Sequence, residues 1–366
     1  MIRAARIARQ KSLGLIPADF TPSAGFARTL TRSPASTNNG TSAAKYTSAV
    51  HSPADGYVDY GQGYVNKKWA DLTPLEQKKA QARYMEIYAG MVSNLDHNIG
   101  LLIQHLKDIG EYDNTFIMFQ SDNGAEGWPI DSGADPQATD EANAQDPIYS
   151  TLGTDNGLVN ARRLQYGLRW AEVSATPLSQ LKGYLGEGGV SVPAIVHLPG
   201  QTTALPTLSA FTHVTDNTAT FLALAGVTPP STPAPALIDP ATGVDKKNKG
   251  KVVYNNRYVY PVTGVSLLGV LQGTASGEVH TQAFGDESYG RAYLRSADGK
   301  WKARWTEPPS GPVDGHWELF DIGADRGETN DLAAANPSIV SGLVSQWQQY
   351  LGNVGGVEPL QPKGYY

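Results

Sequence analysis

The 366-residue chain contains no cysteine, which excludes disulfides and thiolate metal sites while leaving the redox compartment open. It also has no apolar run approaching the roughly 20 residues needed to span a bilayer. The opening Met1-Ile2-Arg3-Ala4-Ala5-Arg6 lacks the apolar central region of a secretory signal, so a cytoplasmic chain without membrane association is the default expectation. Positive charge is in short supply. With 29 basic against 35 acidic residues and a formal charge of -6, a nucleic-acid or anionic-membrane footprint is disfavoured. The 7 histidines include no His-x-x-x-His pair of the zinc type. Gly124-x-x-Gly127 has neither the spacing nor the Lys-Ser/Thr of a phosphate loop.

The length allows one large domain or two of ordinary size. Residues 1–15 read as a basic amphipathic helix. From Pro34 to Gly63 a Ser/Thr/Asn/Gly-rich stretch carries no sustained apolar period and reads as a long, poorly ordered loop containing the sequon Asn39-Gly40-Thr41. Thr73-Pro74-Leu75-Glu76 stacks helix-start signals: a capping Thr, proline at the first helical position and Glu three residues after the cap. The stripe Tyr84, Ile87, Tyr88, Met91, Leu95, Ile99, Leu102, Leu106, Ile109 predicts a long helix stopped by Gly110. Asn114–Phe119 reads as a buried strand, and the helix-to-strand order predicts a parallel sheet. Residues 128–160 are polar and acidic, a solvated loop over the site. Val192–Leu198 predicts a second core strand, and Asp216 a cap for a helix running to Gly226.

Thr228–Gly250, rich in Pro and Thr and closing on a lysine cluster, reads as a linker. Beyond it the pattern alternates at 279–284, 292–295, 301–305 and 317–320, with Asp298-Gly299 as a hairpin turn, so an antiparallel sheet is predicted. A helix starting at Asn336-Pro337, with the stripe Ile339, Leu343, Trp347, Tyr350, Leu351, is placed to cover one face of that sheet.

The chemistry concentrates at Ser121-Asp122-Asn123-Gly124-Ala125-Glu126-Gly127, after the apolar run 115–119. A strand that ends in Asp-Asn-Gly offers a carboxylate and an amide oxygen side by side, where open α/β sheets place ligands. For an arbitrary protein, Asp-Asn-Gly after a strand is more often only a turn. With its surroundings, however, the segment resembles the sulfatase family, most closely the aryl- and alkylsulfatase branch. The resemblance runs through Ile7–Pro17, Tyr84–Met91 leading to Leu95-Asp96, Thr176-Pro177 to Lys182, Glu187-Gly188-Gly189, Trp317–Asp321 and Glu328-Thr329-Asn330-Asp331-Leu332.

That resemblance implies an α/β fold: an alkaline phosphatase-like sheet with flanking helices over 1–250, N-terminally truncated, and a small antiparallel sheet with a terminal helix over 251–366. It implies hydrolysis of a small-molecule sulfate ester with a divalent cation, usually Ca²⁺, to which Asp122 and Asn123 would give two oxygen ligands. Lys182 matches the lysine that contacts the sulfate group, and a compact ammonium suits sulfate oxygens. Glu187-Gly188-Gly189 reads as turn geometry that lets backbone approach the site, and Asp96 as structural. His51 and His213 are the histidines nearest to a role as acid for the leaving group.

The family's nucleophile is a formylglycine made from Cys or Ser in Cys/Ser-x-Pro-x-Arg. Here Ser33-Pro34 and Ser52-Pro53 have the proline one place too early, and no such motif occurs. Met1 therefore reads as a truncated start within a catalytic domain. Two other functions stay open: a non-catalytic remnant or binding protein, and a phosphatase or phosphodiesterase of the same superfold, since Asp-Asn-Gly alone does not separate sulfate from phosphate.

Overall fold

The computed structural model describes residues 2–22, 69–71, 75–127, 166–202, 207–208, 210–243, 245, 247–288, 290–306, 311–312 and 314–354. The expected 34–63 loop with its sequon, His51, the capping Thr73-Pro74 and the whole acidic 128–160 segment lie outside the described residues. Two compact units are present, one of 1–201 with 284–296 and 300–366, the other of 202–283 with 297–299.

In the larger unit, α1 (Ile2–Ser12) is fixed by its polar side chains. Arg6 donates to the Val173 carbonyl at 2.9 Å and Gln10 to the Thr176 carbonyl at 3.1 Å. Helix α2 (Leu75–Asp108) ends where Gly110 takes φ +76°, and the Gly110 and Glu111 N–H groups donate back to Lys107 and Leu106. Its predicted apolar stripe divides. Tyr84 is buried and Ile87 and Tyr88 are half-buried, whereas Met91, Leu95, Leu102 and Ile109 are exposed. A 3.6-residue period tells which side chains share a face and is silent on what covers it.

Strand β1 (Ile117–Gln120) pairs antiparallel with β2 (Ala194–His197), Ile117 opposite His197 and Gln120 opposite Ala194. The parallel sheet expected here is therefore corrected. A helix followed by a strand does not fix the direction in which a distant strand returns. Nor is β2 a core strand, since Ile195 is 67% exposed. The core lies instead around α3 (Leu168–Ser174), where Leu168, Ala171, Leu181 and Tyr184 are buried together, with Ala125 and Tyr166 packed on them. The Trp170 indole N–H donates to the Gln81 carbonyl at 2.9 Å and so ties α3 to α2.

The C-terminal meander is an antiparallel sheet in chain order: β5 (Phe284–Ser288), β6 (Arg291–Arg295), β7 (Trp301–Trp305) and β8 (Glu318–Asp321). The strand expected at 279–284 instead begins at Phe284, and β8 starts one residue after Trp317. Between β6 and β7, Ser296 and Trp301 close the connection at 2.8 Å, and Gly299 supplies the positive φ of the turn. Helix α4 (Pro337–Val354) covers one face, with Leu343 and Trp347 buried and the Trp317 and Trp347 rings 5.5 Å apart.

The smaller unit holds a helix (Thr215–Leu224) and the hairpin β3 (Val252–Tyr254) and β4 (Arg257–Val259). Asn255 and Asn256, both at positive φ, make its two-residue turn. Asp216 lies inside the first turn of that helix rather than at its cap. Its buried carboxylate accepts from the N–H groups of His213 and Val265 and sits 2.9 Å from His280 Nε2. The 228–250 stretch is a hydrogen-bonded loop with bridges Pro233–Val252 and Ile238–Asp245.

Candidate functional site

After β1 the chain turns through Ser121-Asp122-Asn123-Gly124, with Ser121 Oγ donating to the Asn123 carbonyl at 2.9 Å. Gly124 closes the turn against the segment Glu187–Val190, donating to the Gly189 carbonyl at 2.9 Å. The approach has no room for a side chain on either partner. A Cβ on Gly124 would lie 1.9 Å from the Gly188 oxygen, and one on Gly189 2.0 Å from the Tyr184 oxygen. The glycines of Glu187-Gly188-Gly189 thus serve close backbone approach. Asp122 and Asn123 line a cavity of about 900 Å³, with Asp122 exposed and with Tyr84, Tyr88 and Tyr166 among its walls. Burial pushes the Tyr166 phenol up to about 12, and its ring lies 4.8 Å from that of Tyr88.

Lys182 is joined to the same turn. Its N–H donates to the Ala125 carbonyl at 3.1 Å, and its Nζ is 2.9 Å from the Glu126 carboxylate, both side chains being about one third exposed. Glu126 is on the cavity wall, and Lys182 is not. Glu126, three residues after Asn123, is a site residue that no sequence motif marks. Of the two candidate histidines, His213 belongs to the smaller unit, where its Nδ1 is 2.9 Å from Thr215 Oγ1. His51 is not among the described residues.

A second feature missed in the sequence lies under the Lys182 loop. Registers place Arg291, Arg295, Lys302, Arg304 and Glu318 on one face of the C-terminal sheet, opposite the face that α4 covers. Alternating charges on a strand ordinarily mark a solvated face. Here Arg291, Lys302 and Arg304 are buried. Lys302 Nζ sits 2.8 Å from Glu187 and 3.1 Å from Glu328, and Arg304 lies 3.0 Å from Glu328 and 2.9 Å from Glu318. Glu328 also accepts from the Ser179 hydroxyl and, at 2.8 Å, from the Glu187 N–H. Burial alone would raise the Glu328 carboxyl, but Arg304 and Lys302 outweigh it and hold it below the ordinary range. Arg291 donates to the Gly183 carbonyl and lies over the Tyr184 ring.

As a cation site the arrangement is partial. Asp122 and Asn123 give two adjacent oxygens, while Ca²⁺ takes roughly six to eight. Among the described residues no group of three or more His, Asp or Glu side chains could hold a metal ion. The described donors therefore do not fit a complete Ca²⁺ site.

Comparison with known proteins agrees with the motif order. The sulfatase family model matches residues 35–227, more than half of the chain. An uncharacterised sulfatase of Schizosaccharomyces pombe is 31% identical over 98% of this chain and 52% of its own length. The arylsulfatase of Klebsiella aerogenes is 32% identical over 53% of this chain and 40% of its own. Human N-acetylgalactosamine-6-sulfatase is 31% identical over 39% of this chain and 20% of its own. The chain thus spans about half the length of the yeast relative and less of the other two. With this match and the ordered motifs around Asp122 and Lys182, the chain belongs to the sulfatase family.

Proposed function

We propose that Asp122, Asn123 and Lys182 form part of the active site of a sulfuric ester hydrolase of the arylsulfatase kind, acting on a small-molecule sulfate ester. The observation that carries this reading is the bond from the Lys182 N–H to the Ala125 carbonyl. It ties an ammonium-bearing loop to the turn that carries two oxygen donors at a cavity wall. In this reading residues 1–250 belong to the catalytic domain and 251–366 to its C-terminal subdomain. The Lys182 ammonium exchanges Glu126 for sulfate oxygens and neutralises charge that grows on the leaving oxygen. A divalent cation, Ca²⁺ by family resemblance, would draw on Asp122 and Asn123 together with ligands beyond those two, and would supply positive charge to the sulfate oxygens.

The chain has no cysteine and no Ser-x-Pro-x-Arg, so these 366 residues carry no formylglycine precursor of the family type. That fact favours a second reading, in which this chain by itself binds sulfate without turning it over. Two measurements test the proposal on the purified chain. Aryl sulfate with Ca²⁺ should give no turnover, and multiple turnover abolished by Asp122→Ala would show that these residues do carry a nucleophile. Inorganic sulfate should perturb the backbone amide resonances of Ala125 and Gly183, which flank Lys182, with the response lost in Lys182→Ala. A chain indifferent to sulfate, or one that responds equally without Lys182, would remove Lys182 from the site.

A further inference from the structure

We propose that Lys302 and Glu328 are positioning residues for the candidate site, acting through the loop 179–189. The proposal rests on the reading of Lys182, Asp122 and Asn123 as site residues. The physical path is continuous and entirely within the larger unit. Lys302 is fully buried and bridges two carboxylates, Glu187 and Glu328. Each carboxylate grips the loop at a different point. Glu187 is a loop residue whose next two positions, Gly188 and Gly189, carry the backbone that meets Gly124. Glu328 reaches the loop's beginning at the Ser179 hydroxyl and its far end at the Glu187 N–H. Between these grips, Arg291 takes the carbonyl of Gly183, the residue after Lys182. Gln180 holds positive φ and accepts from the Gly186 N–H at 2.6 Å, closing the loop on itself.

The loop therefore hangs from the sheet by charged contacts on one side and seats Gly124 by backbone contacts on the other. A shift of Glu187 moves Gly188 and Gly189, and with them the turn of Asp122 and Asn123. Simple packing would not require this chemistry, because apolar residues of similar volume often fill such a layer with no loss of stability. Charged groups in fixed hydrogen-bonded geometry instead select one loop conformation, and a loop that presents a lysine needs that selection.

The test uses the 366-residue chain, wild type and Glu328→Gln, with Lys302→Met as a second, independent variant should the first fail to fold. Backbone hydrogen exchange is read at Gly124, Gly188 and Gly189 and, for comparison, at Leu294 and Ala303 within the sheet. Inorganic sulfate is then titrated while Lys182 is observed. The expected result is exchange about tenfold faster at the three glycines, unchanged exchange at Leu294 and Ala303, and a matching weakening of the sulfate response. Glycine and sheet amides accelerating together would mean that the cluster merely stabilises the sheet, and the proposal would fall. It would fall equally if the glycine amides kept their wild-type rates. A wild-type chain indifferent to sulfate would refute the sulfatase reading of Lys182, while the exchange comparison would still decide whether the cluster sets the loop.

Discussion

Gly124 and Gly188 meet backbone to backbone, so closely that a methyl group on Gly124 would stand 1.9 Å from the Gly188 carbonyl oxygen. Backbone cannot yield as the end of a flexible side chain can, so the contact fixes how the Asp122–Asn123 turn sits on the Lys182 loop. Gly124→Ala should destabilise the chain by about 1–3 kcal/mol through overpacking and displace the turn. Gly90 provides the opposite case: it is exposed within α2 and has nothing within 4 Å of a built Cβ. There alanine should stabilise by about 0.5–1 kcal/mol, through helix propensity alone. Thermal or urea unfolding of the two variants checks both signs, and equal effects would mean that the Gly124 contact is not formed.

Glu126 holds the Lys182 ammonium at 2.9 Å on a partly exposed surface. A sulfate approaching Lys182 must compete with that carboxylate and is repelled by it. Glu126→Gln should therefore tighten the response to inorganic sulfate by a few-fold, in line with the modest worth of exposed pairs, about 0.2–1 kcal/mol, and should leave stability almost unchanged. Weaker sulfate binding in Glu126→Gln would show that the glutamate orients the lysine rather than competing for it.

Trp347 is buried on the face of the sheet opposite the ion cluster and packs against Trp317. Trp347→Ala should cost about 3–5 kcal/mol, the usual penalty for emptying an aromatic core position. Near-ultraviolet circular dichroism together with urea unfolding reports the loss. A variant as stable as wild type would show that α4 does not carry the sheet.

Much of this was legible in the sequence, and the reasons for success and failure are physical. Helices α1, α2 and α4 follow from amphipathic period, and the turn at Gly299 from its Asp-Gly pair. The turn at Asp122–Asn123 was legible because Asp-Asn-Gly after an apolar run carries its own turn geometry. What escaped depends on partners far away in the chain. The direction of β2 relative to β1 is set by a return path that no local pattern encodes. Arg291, Lys302 and Arg304 alternate as solvent-facing residues do, and only the distant Glu187 and Glu328 make their burial tolerable. The exposed stretch of α2 shows the converse, a stripe whose periodicity reads as core while Met91 is 65% exposed.

His316 stands between two carboxylates, its Nδ1 2.6 Å from Asp314 and its Nε2 2.7 Å from Asp331. Hydrogen bonds to Asp331 and then Asp314 raise its imidazole above the ordinary 6.5. Asp314 is lowered chiefly by His316. For Asp331, burial pushes upward, but His316 and the N–H groups of Leu319 and Ala333 prevail and lower it. A raised histidine contributes stability fully below its unfolded value, and that share is lost as pH climbs through the folded value. Lowered carboxylates contribute above their unfolded value, 3.8, and lose their share as pH falls through the folded one. The three groups therefore hold the turn before β8 best at about pH 5 to 6. The difference in melting temperature between wild type and His316→Gln should be largest there and shrink on either side. Nuclear magnetic resonance titration of the His316 ring should give a midpoint above 6.5, and a midpoint at or below it would show that the imidazole is not shared between the two carboxylates.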